Sequence, residues 1–156
     1  MNFIKAIVLG FIAGAIATLT VHEFISWLFN NPNLWTGWTR TSWSKEPVDV
    51  ALLGIQIPKI FSAMFWGGVW GSVFGLILGA RPQGAMTLRG AVLGIVGPAL
   101  LGVFLIVPML KGGAPFLGGD VAKIIPVLVI LAGYGASTAW LYGAFRYGRL
   151  PGCDDC

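Results

Sequence analysis

Residues 57–80 read IPKIFSAMFWGGVWGSVFGLILGA, an apolar run in which Lys59 is the only charged residue. About 20 predominantly apolar residues is the length that an α-helix needs to cross the hydrocarbon core of a bilayer. Three further stretches have the same character and lie at 3–29, 88–110 and 121–147. The sequence therefore predicts an all-α, polytopic membrane protein in which residues 1–156 form one bundle of four transmembrane helices.

Composition argues against a soluble globular domain. Hydrophobic residues make up 56% of the chain and charged residues only 10%, and the mean hydropathy is +0.82. A soluble domain is about one quarter charged, because it must present a wet surface. The 10 basic residues exceed the 6 acidic ones, and in a membrane protein such an excess is typical of loops that contact anionic lipid headgroups. The predicted partner is the lipid bilayer and not a nucleic acid.

Glycine recurs every fourth residue in the second run, at Gly67, Gly71, Gly75 and Gly79. Positions four apart share one face of a helix, and small residues on such a face let two membrane helices approach closely. We interpret this row as a helix-packing face. Its partner is either another helix of the same bundle or, as a functional alternative, another protomer of a homo-oligomer or a larger membrane complex.

Two segments of the chain resemble each other. Lys5–Ile12 reads KAIVLGFI and Arg89–Val96 reads RGAVLGIV. This match indicates that the protein consists of two related helical hairpins, arranged about an axis along the membrane normal. In the third run Pro98 predicts a kink, since proline cannot donate the helical hydrogen bond.

His22 and Glu23 are the polar candidates within the spans. A charge at the centre of the bilayer costs at least about 2.5–3.5 kcal/mol, so it needs a partner or a purpose. With a midpoint near Ile16 and a rise of about 1.5 Å per residue, His22 lies roughly 9 Å from the midplane, at the depth of Ser62. In a local interpretation, Glu23 pairs with Lys59, and His22 bonds Ser62 or a backbone carbonyl. Alternatively, His22 binds a haem-type or chlorophyll-type metal centre or a quinone carbonyl.

Other chemistry is sparse in the sequence. Cys153 and Cys156 form a Cys-x-x-Cys at the C-terminus, which is half of a zinc site or a dithiol pair. Without a second pair, we expect an unstructured tail and no metal site. Walker A, Gly-x-Ser-x-Gly and His-Glu-x-x-His motifs are absent from the sequence. We therefore predict no enzymatic activity and no bound cofactor.

The first span also has features of a signal peptide, namely Lys5 before an apolar core and a small-residue motif at Ala15-Ile16-Ala17. Apolar character continues well past that motif, which favours a retained helix. Four spans place both termini on one side of the membrane. We predict that this side is the cytoplasm, because Arg81 and Arg89 lie close to the membrane ends, whereas acidic residues dilute the basic ones opposite. The Trp-rich loop 30–56 is expected at the external interface.

Residues 65–71 read Phe-Trp-Gly-Gly-Val-Trp-Gly. This segment resembles the Phe-Trp-Gly-Gly-x-Trp-Gly signature of a family of small, uncharacterised four-helix inner-membrane proteins of bacteria. His22, the start of the second helix at Ile55–Pro58 and the Pro-x-Leu-Lys-Gly at Pro108–Gly112 also resemble that family's layout. The chain departs from it at Glu23, where the family has Gln, and in its longer, Trp-richer first loop. The resemblance implies a topology and a bacterial inner-membrane location, and it implies no activity.

Three functions are compatible with these features. The main prediction is an accessory or structural membrane protein that packs through its glycine faces with a larger complex or with itself. The first alternative is a small transporter or channel that uses Glu23 and the kink at Pro98. The second alternative is a redox or pigment-associated subunit that uses His22. The scarcity of polar side chains within the spans favours the first.

Overall fold

The computed structural model describes residues 2–31, 33–38, 47–50, 55–79 and 85–148. Four helices in this part of the chain are long and apolar enough to cross a membrane, which confirms the all-α bundle and makes this a multi-pass membrane protein. In chain order the elements are α1 (Phe3–Phe29), β1 (Pro47–Val50), β2 (Ile55–Pro58), α2 (Lys59–Gly79), α3 (Met86–Leu110) and α4 (Val121–Tyr147).

The helix bounds follow the hydropathy closely, and the starts of α2 and α3 each differ from the prediction by two residues. Helix α2 begins at Lys59, because Ile57 and Pro58 belong to strand β2. The strand pairs antiparallel with β1, and Val48 lies opposite Ile57. The interfacial loop predicted at 30–56 therefore contains most of a short β-hairpin. Trp43 and residues 51–54 lie outside the described residues.

Helices α1 and α2 cross where both carry glycine. A methyl group added at Gly71 would overlap the carbonyl oxygen of Gly10, and one added at Gly14 would overlap the carbonyl oxygen of Gly67. A methyl group at Gly75 would likewise overlap the carbonyl oxygen of Ala6. The backbones are thus in direct contact, as small residues at a membrane helix interface allow. Gly79, at the end of the row, is half-buried.

Helices α3 and α4 repeat this crossing residue for residue. A methyl group at Gly135 would overlap the carbonyl oxygen of Gly90 and would lie 2.8 Å from the Cα of Gly94. The Gly71 site has the same neighbours, namely the carbonyl oxygen of Gly10 and, at 2.8 Å, the Cα of Gly14. Gly10 therefore corresponds to Gly90. The sequence match that paired Lys5–Ile12 with Arg89–Val96 is displaced from this correspondence by about one helical turn.

The two hairpins pack against each other through α1 and α4, and helix α4 is the most buried of the four. Large side chains such as Phe74, Phe104 and Tyr142 fill the core between the helices. Contact between α2 and α3 is slight and involves mainly the N-terminal part of α3. A gap therefore remains between these two helices along the rest of their length.

Two helical segments are π-wound instead of α-wound. One is Thr18–His22 in α1, and the other is Ile95–Ile106 in α3, which contains the buried Pro98. A proline lacks the N–H that an α-helix would use, and a wider turn accommodates it. Helix α3, for which a kink was predicted at Pro98, thus has a wider π-wound turn at this proline and continues to the end of the span.

Side-chain hydrogen bonds hold α2 to its neighbours. The Ser72 hydroxyl donates to the carbonyl of Ile7 in α1 over 3.1 Å. The Arg146 guanidinium donates to the carbonyl of Leu78 over 3.1 Å, near the C-terminus of α2. A cation at that position satisfies a carbonyl that the helix leaves unpaired and complements the helix dipole.

Helix α4 begins with a capping residue outside the membrane-spanning segment. The Asp120 carboxylate accepts a hydrogen bond from the backbone N–H of Ala122 over 3.0 Å and from the Lys123 ammonium over 2.6 Å. The bond from Lys123 is the main cause that holds the pKa of Asp120 below its ordinary value of 3.8. The ionised form is therefore the one that the fold stabilises.

Lowering the pH is expected to weaken this cap. Because the pKa of Asp120 is lowered in the folded state, its contribution to stability is complete above the unfolded pKa of 3.8 and is lost as the pH falls through the lower folded value. We expect the difference in melting temperature between the wild type and Asp120→Asn to shrink below pH 3.8. Thermal unfolding followed by circular dichroism tests this. A difference that stays constant from pH 6 to pH 2 would contradict it.

Candidate functional site: a cleft between helices α2 and α3

The gap between α2 and α3 forms a cleft of about 460 Å³. Helix α1 contributes Thr18 and His22 to it, and helix α4 contributes Leu131 and Tyr134. Trp66, whose side chain is 59% exposed, and Leu110 lie at its outer rim, so the cleft opens on the surface that faces lipid. The walls come from α2 and α3 and consist of Ala63, Trp66, Gly67, Val69, Trp70, Val73, Pro98, Gly102, Val103, Ile106, Val107 and Leu110.

His22 is the ionisable side chain of this lining. Its Nδ1 lies 2.9 Å from Oε1 of Glu23, a hydrogen bond between neighbouring residues. The imidazole is 24% exposed, whereas the Glu23 side chain is 1% exposed. Within the described part of the chain, Nε2 of His22 has no hydrogen-bond partner. A carboxylate on one ring nitrogen fixes the orientation of the ring and leaves the other nitrogen available for a ligand.

The π-turn in α1 lies directly before this pair. Thr18 begins the turn, and its hydroxyl donates to the carbonyl of Gly14 over 2.9 Å. A π-turn adds one residue to a helix and so rotates every later residue around the axis. After the turn, the end of α1 from Glu23 to Phe29 packs against α4. Such turns are frequent at functional sites.

Tyr134 in α4 lies at the base of the cleft. Its hydroxyl donates to the backbone carbonyl of Gly67 in α2. This bond uses the only proton of the phenol, so the Tyr134 oxygen can only accept further hydrogen bonds. The Tyr134 ring also packs against Phe74, with 6.0 Å between ring centroids.

Trp70 spans the gap from α2 to α3. Its ring atoms lie 3.0 Å from the position that a Cβ of Gly97 would occupy, and 3.6 Å from the corresponding position at Gly102. The lack of side chains at these two glycines therefore makes room for the indole. Within the described residues the Nε1 of Trp70, like that of Trp66, has no hydrogen-bond partner.

The residues that the sequence singled out are only partly brought together here. Glu23 and His22 contact each other, and the described residues contain no ion pair between Glu23 and Lys59. Nor does the described part of the chain contain a hydrogen bond between His22 and Ser62. His22 lines the same cleft as Ala63 and Trp66. Glu23 follows the π-turn, and the segment that it begins packs against α4.

The glycine row of α2 is occupied inside the bundle. Gly67, Gly71 and Gly75 face α1, where added side chains would overlap Thr18, Gly10 and Ala6. Within the described residues, this face is therefore closed to a second protein as long as the bundle is folded. Cys153 and Cys156 lie outside the described residues, and the described residues contain no group of three His, Cys, Asp or Glu side chains that could hold a metal ion.

Sequence reasoning did not identify Tyr134 or Trp70 as parts of a site, although it singled out Pro98 for the transporter alternative. An aromatic residue within an apolar run has the same appearance whether it faces lipid, the core or a cleft. The available signal was the position of Gly97, Pro98 and Gly102, which interrupt an otherwise bulky apolar helix. Comparison of the chain with protein-family models, with curated proteins and with solved structures found no match, so membership of the family named above stays a prediction.

Proposed function

We propose that this chain is a bacterial inner-membrane protein that binds a lipophilic small molecule in the cleft between α2 and α3. One observation carries the proposal: His22, held by Glu23 through Nδ1, lines an apolar cleft and has no partner for Nε2 among the described residues. Small-molecule sites are apolar cavities with a few well-placed polar groups that fix the orientation of the ligand. This cleft has that composition.

The size and position of the cleft support the same proposal. Its volume of about 460 Å³ falls within the roughly 300–1,000 Å³ of small-molecule pockets. The cleft opens where α2 and α3 face lipid, so a ligand dissolved in the bilayer can enter sideways without crossing water. The lining offers few polar groups, which favours binding of a lipophilic molecule over conduction of an ion.

Our second proposal is an accessory role in a larger membrane complex, in which the partner binds a surface other than the glycine faces. The glycine faces that suggested it from the sequence are used between α1 and α2 and between α3 and α4. A partner would have to contact the lipid-facing side chains instead, among which Met109 and Leu110 are prominently exposed. We also propose that both termini are cytoplasmic, for the reasons of charge given above.

Filling the cleft tests the proposed function. A Cβ at Gly102 would lie at ordinary van der Waals distance from Trp70, so Gly102→Leu should fold and extend its side chain into the cleft. We expect the wild type, purified from native membranes in mild detergent, to retain a lipophilic molecule of defined mass. We expect Gly102→Leu to lose at least about nine tenths of it. Native mass spectrometry, organic extraction and a visible absorption spectrum measure the retained molecule.

The matched control is Leu101→Phe. This neighbouring residue on the same helix faces outward and lies outside the lining of the cleft. The control should retain the molecule as the wild type does. Equal retention by the wild type and Gly102→Leu, or no retained molecule in the wild type, would overturn the proposal.

A further inference from the structure

We infer that the ligand of this cleft is a neutral, planar ring that carries carbonyl oxygens and a hydrophobic tail, the chemistry of a membrane quinone. The inference rests on the proposed function and adds the chemical class of the ligand. It follows from three properties of the described lining: its lack of lysine, arginine, aspartate and glutamate, its excess of hydrogen-bond donors, and its aromatic walls.

The charge of the lining favours a neutral ligand. Among the described residues, none that lines the cleft is a lysine, arginine, aspartate or glutamate. A phosphate or carboxylate headgroup placed there would lose its hydration with only His22 in compensation, and burial of a poorly paired charge is costly. A phospholipid or a fatty acid therefore fits less well than an uncharged molecule.

The hydrogen-bonding groups of the lining favour a ligand that accepts hydrogen bonds. The indole N–H groups of Trp66 and Trp70 can only donate, and neither has a partner among the described residues. His22 can donate through Nε2 when that nitrogen is protonated. The Tyr134 hydroxyl proton is already used on Gly67. A carbonyl oxygen of the ligand can accept hydrogen bonds from these donors. When the quinone ring is reduced to the hydroxyl form, it can donate to His22 or Tyr134.

The shape of the cleft favours a flat ring with a tail. Trp66 and Trp70 lie on the α2 wall, and aromatic faces stack well on planar π-systems. From His22 the lining continues past Gly102 toward Pro98 and the partly exposed Val73, which lie deeper in their spans. An apolar tail can follow this path into the lipid while the polar ring stays beside the histidine.

Two matched probes test this inference on the full chain in lipid nanodiscs. One is a benzoquinone with a ten-carbon tail, and the other is decylbenzene, which has the same tail and no oxygen. We expect the quinone to bind about tenfold more tightly, the effect of one or two net hydrogen bonds. The measurement is the probe concentration that gives half of the maximal thermal stabilisation. Infrared difference spectra with ¹³C-labelled quinone should show a carbonyl band shifted to lower wavenumber on binding.

Removing the polar pair should weaken the preference. In the double variant His22→Leu/Glu23→Leu we expect the preference for the quinone over decylbenzene to fall several-fold and the shift of the carbonyl band to shrink, because only the indole donors of Trp66 and Trp70 remain, with no change for decylbenzene. Equal affinity of the wild type for both probes, blocked by Gly102→Leu, would overturn the ligand class and leave the proposed function standing. Failure of both probes to bind would overturn both. A haem absorption band that disappears without His22 would replace the quinone by a metal centre.

Discussion

Replacing Gly71 by alanine is expected to destabilise the bundle by about 3 kcal/mol, the upper end of the usual cost of overpacking. The added methyl group would overlap the carbonyl oxygen of Gly10, and its other close neighbours are backbone atoms of Gly14. Backbone atoms cannot change rotamer to make room, so α1 and α2 must separate along their crossing. The free energy of unfolding, measured by titration of mixed micelles with a denaturing detergent, gives the loss.

The same substitution at Gly135 should have an effect of similar size. Gly135 has the same neighbours in the second hairpin, namely the carbonyl oxygen of Gly90 and backbone atoms of Gly94. Gly102→Ala is the control, since its methyl group would lie 3.6 Å from the ring of Trp70, an ordinary contact. Alanine in a helix is intrinsically about 1 kcal/mol better than glycine, so the control should be neutral or slightly stabilising. Variants of Gly71 and Gly135 as stable as the wild type would show that the crossings are looser than described.

The four helices could be predicted from the sequence because bilayer thickness fixes a length that apolar runs must match. The glycine row of α2 also predicted a close helix contact, but its partner could not be predicted. A face of small residues indicates that a backbone approaches and carries no information on which backbone it is. Only the folded structure shows that Gly71 contacts Gly10 of the same chain.

The correspondence of the two hairpins was detected in the sequence but placed about one turn out of register. Apolar segments such as Lys5–Ile12 match Arg89–Val96 through common aliphatic residues, and several registers score alike. The contacts at the two helix crossings fix how the hairpins correspond. Gly71 contacts Gly10 and Gly14. Gly135 contacts Gly90 and Gly94 in the same way. Contacts discriminate here because a shift of one turn would place larger side chains at the crossing.

Only part of the candidate site could be predicted from the sequence. His22 and Glu23 were identifiable because ionisable groups are rare within apolar spans. Their partners were not, because the estimate assumed a straight α-helix and α1 contains a π-turn at Thr18–His22. The cleft itself depends on the separation of α2 from α3, a property of packing that no local pattern expresses.

Helix α1 offers a direct test of how strongly His22 and Glu23 are coupled. His22→Leu takes a hydrogen-bond donor from a carboxylate that is 1% exposed and cannot turn to water. Breaking a buried pair by removal of one partner is strongly destabilising, so we expect a loss of about 2–3 kcal/mol. Glu23→Leu should cost less, because the imidazole that remains is 24% exposed, whereas the carboxylate that His22→Leu leaves behind is 1% exposed.

The double variant His22→Leu/Glu23→Leu should be more stable than His22→Leu alone. Replacement of both members by apolar side chains removes the carboxylate that His22→Leu leaves buried without its histidine, so that part of the cost disappears. In a double-mutant cycle we expect a coupling free energy of about 2 kcal/mol, measured by the same detergent titration. Thr20→Val, an exposed polar residue just before the pair, is the control and should change stability little. If the three variants instead lose stability additively, Glu23 is held in the bundle by groups other than His22, and the histidine is positioned by packing alone.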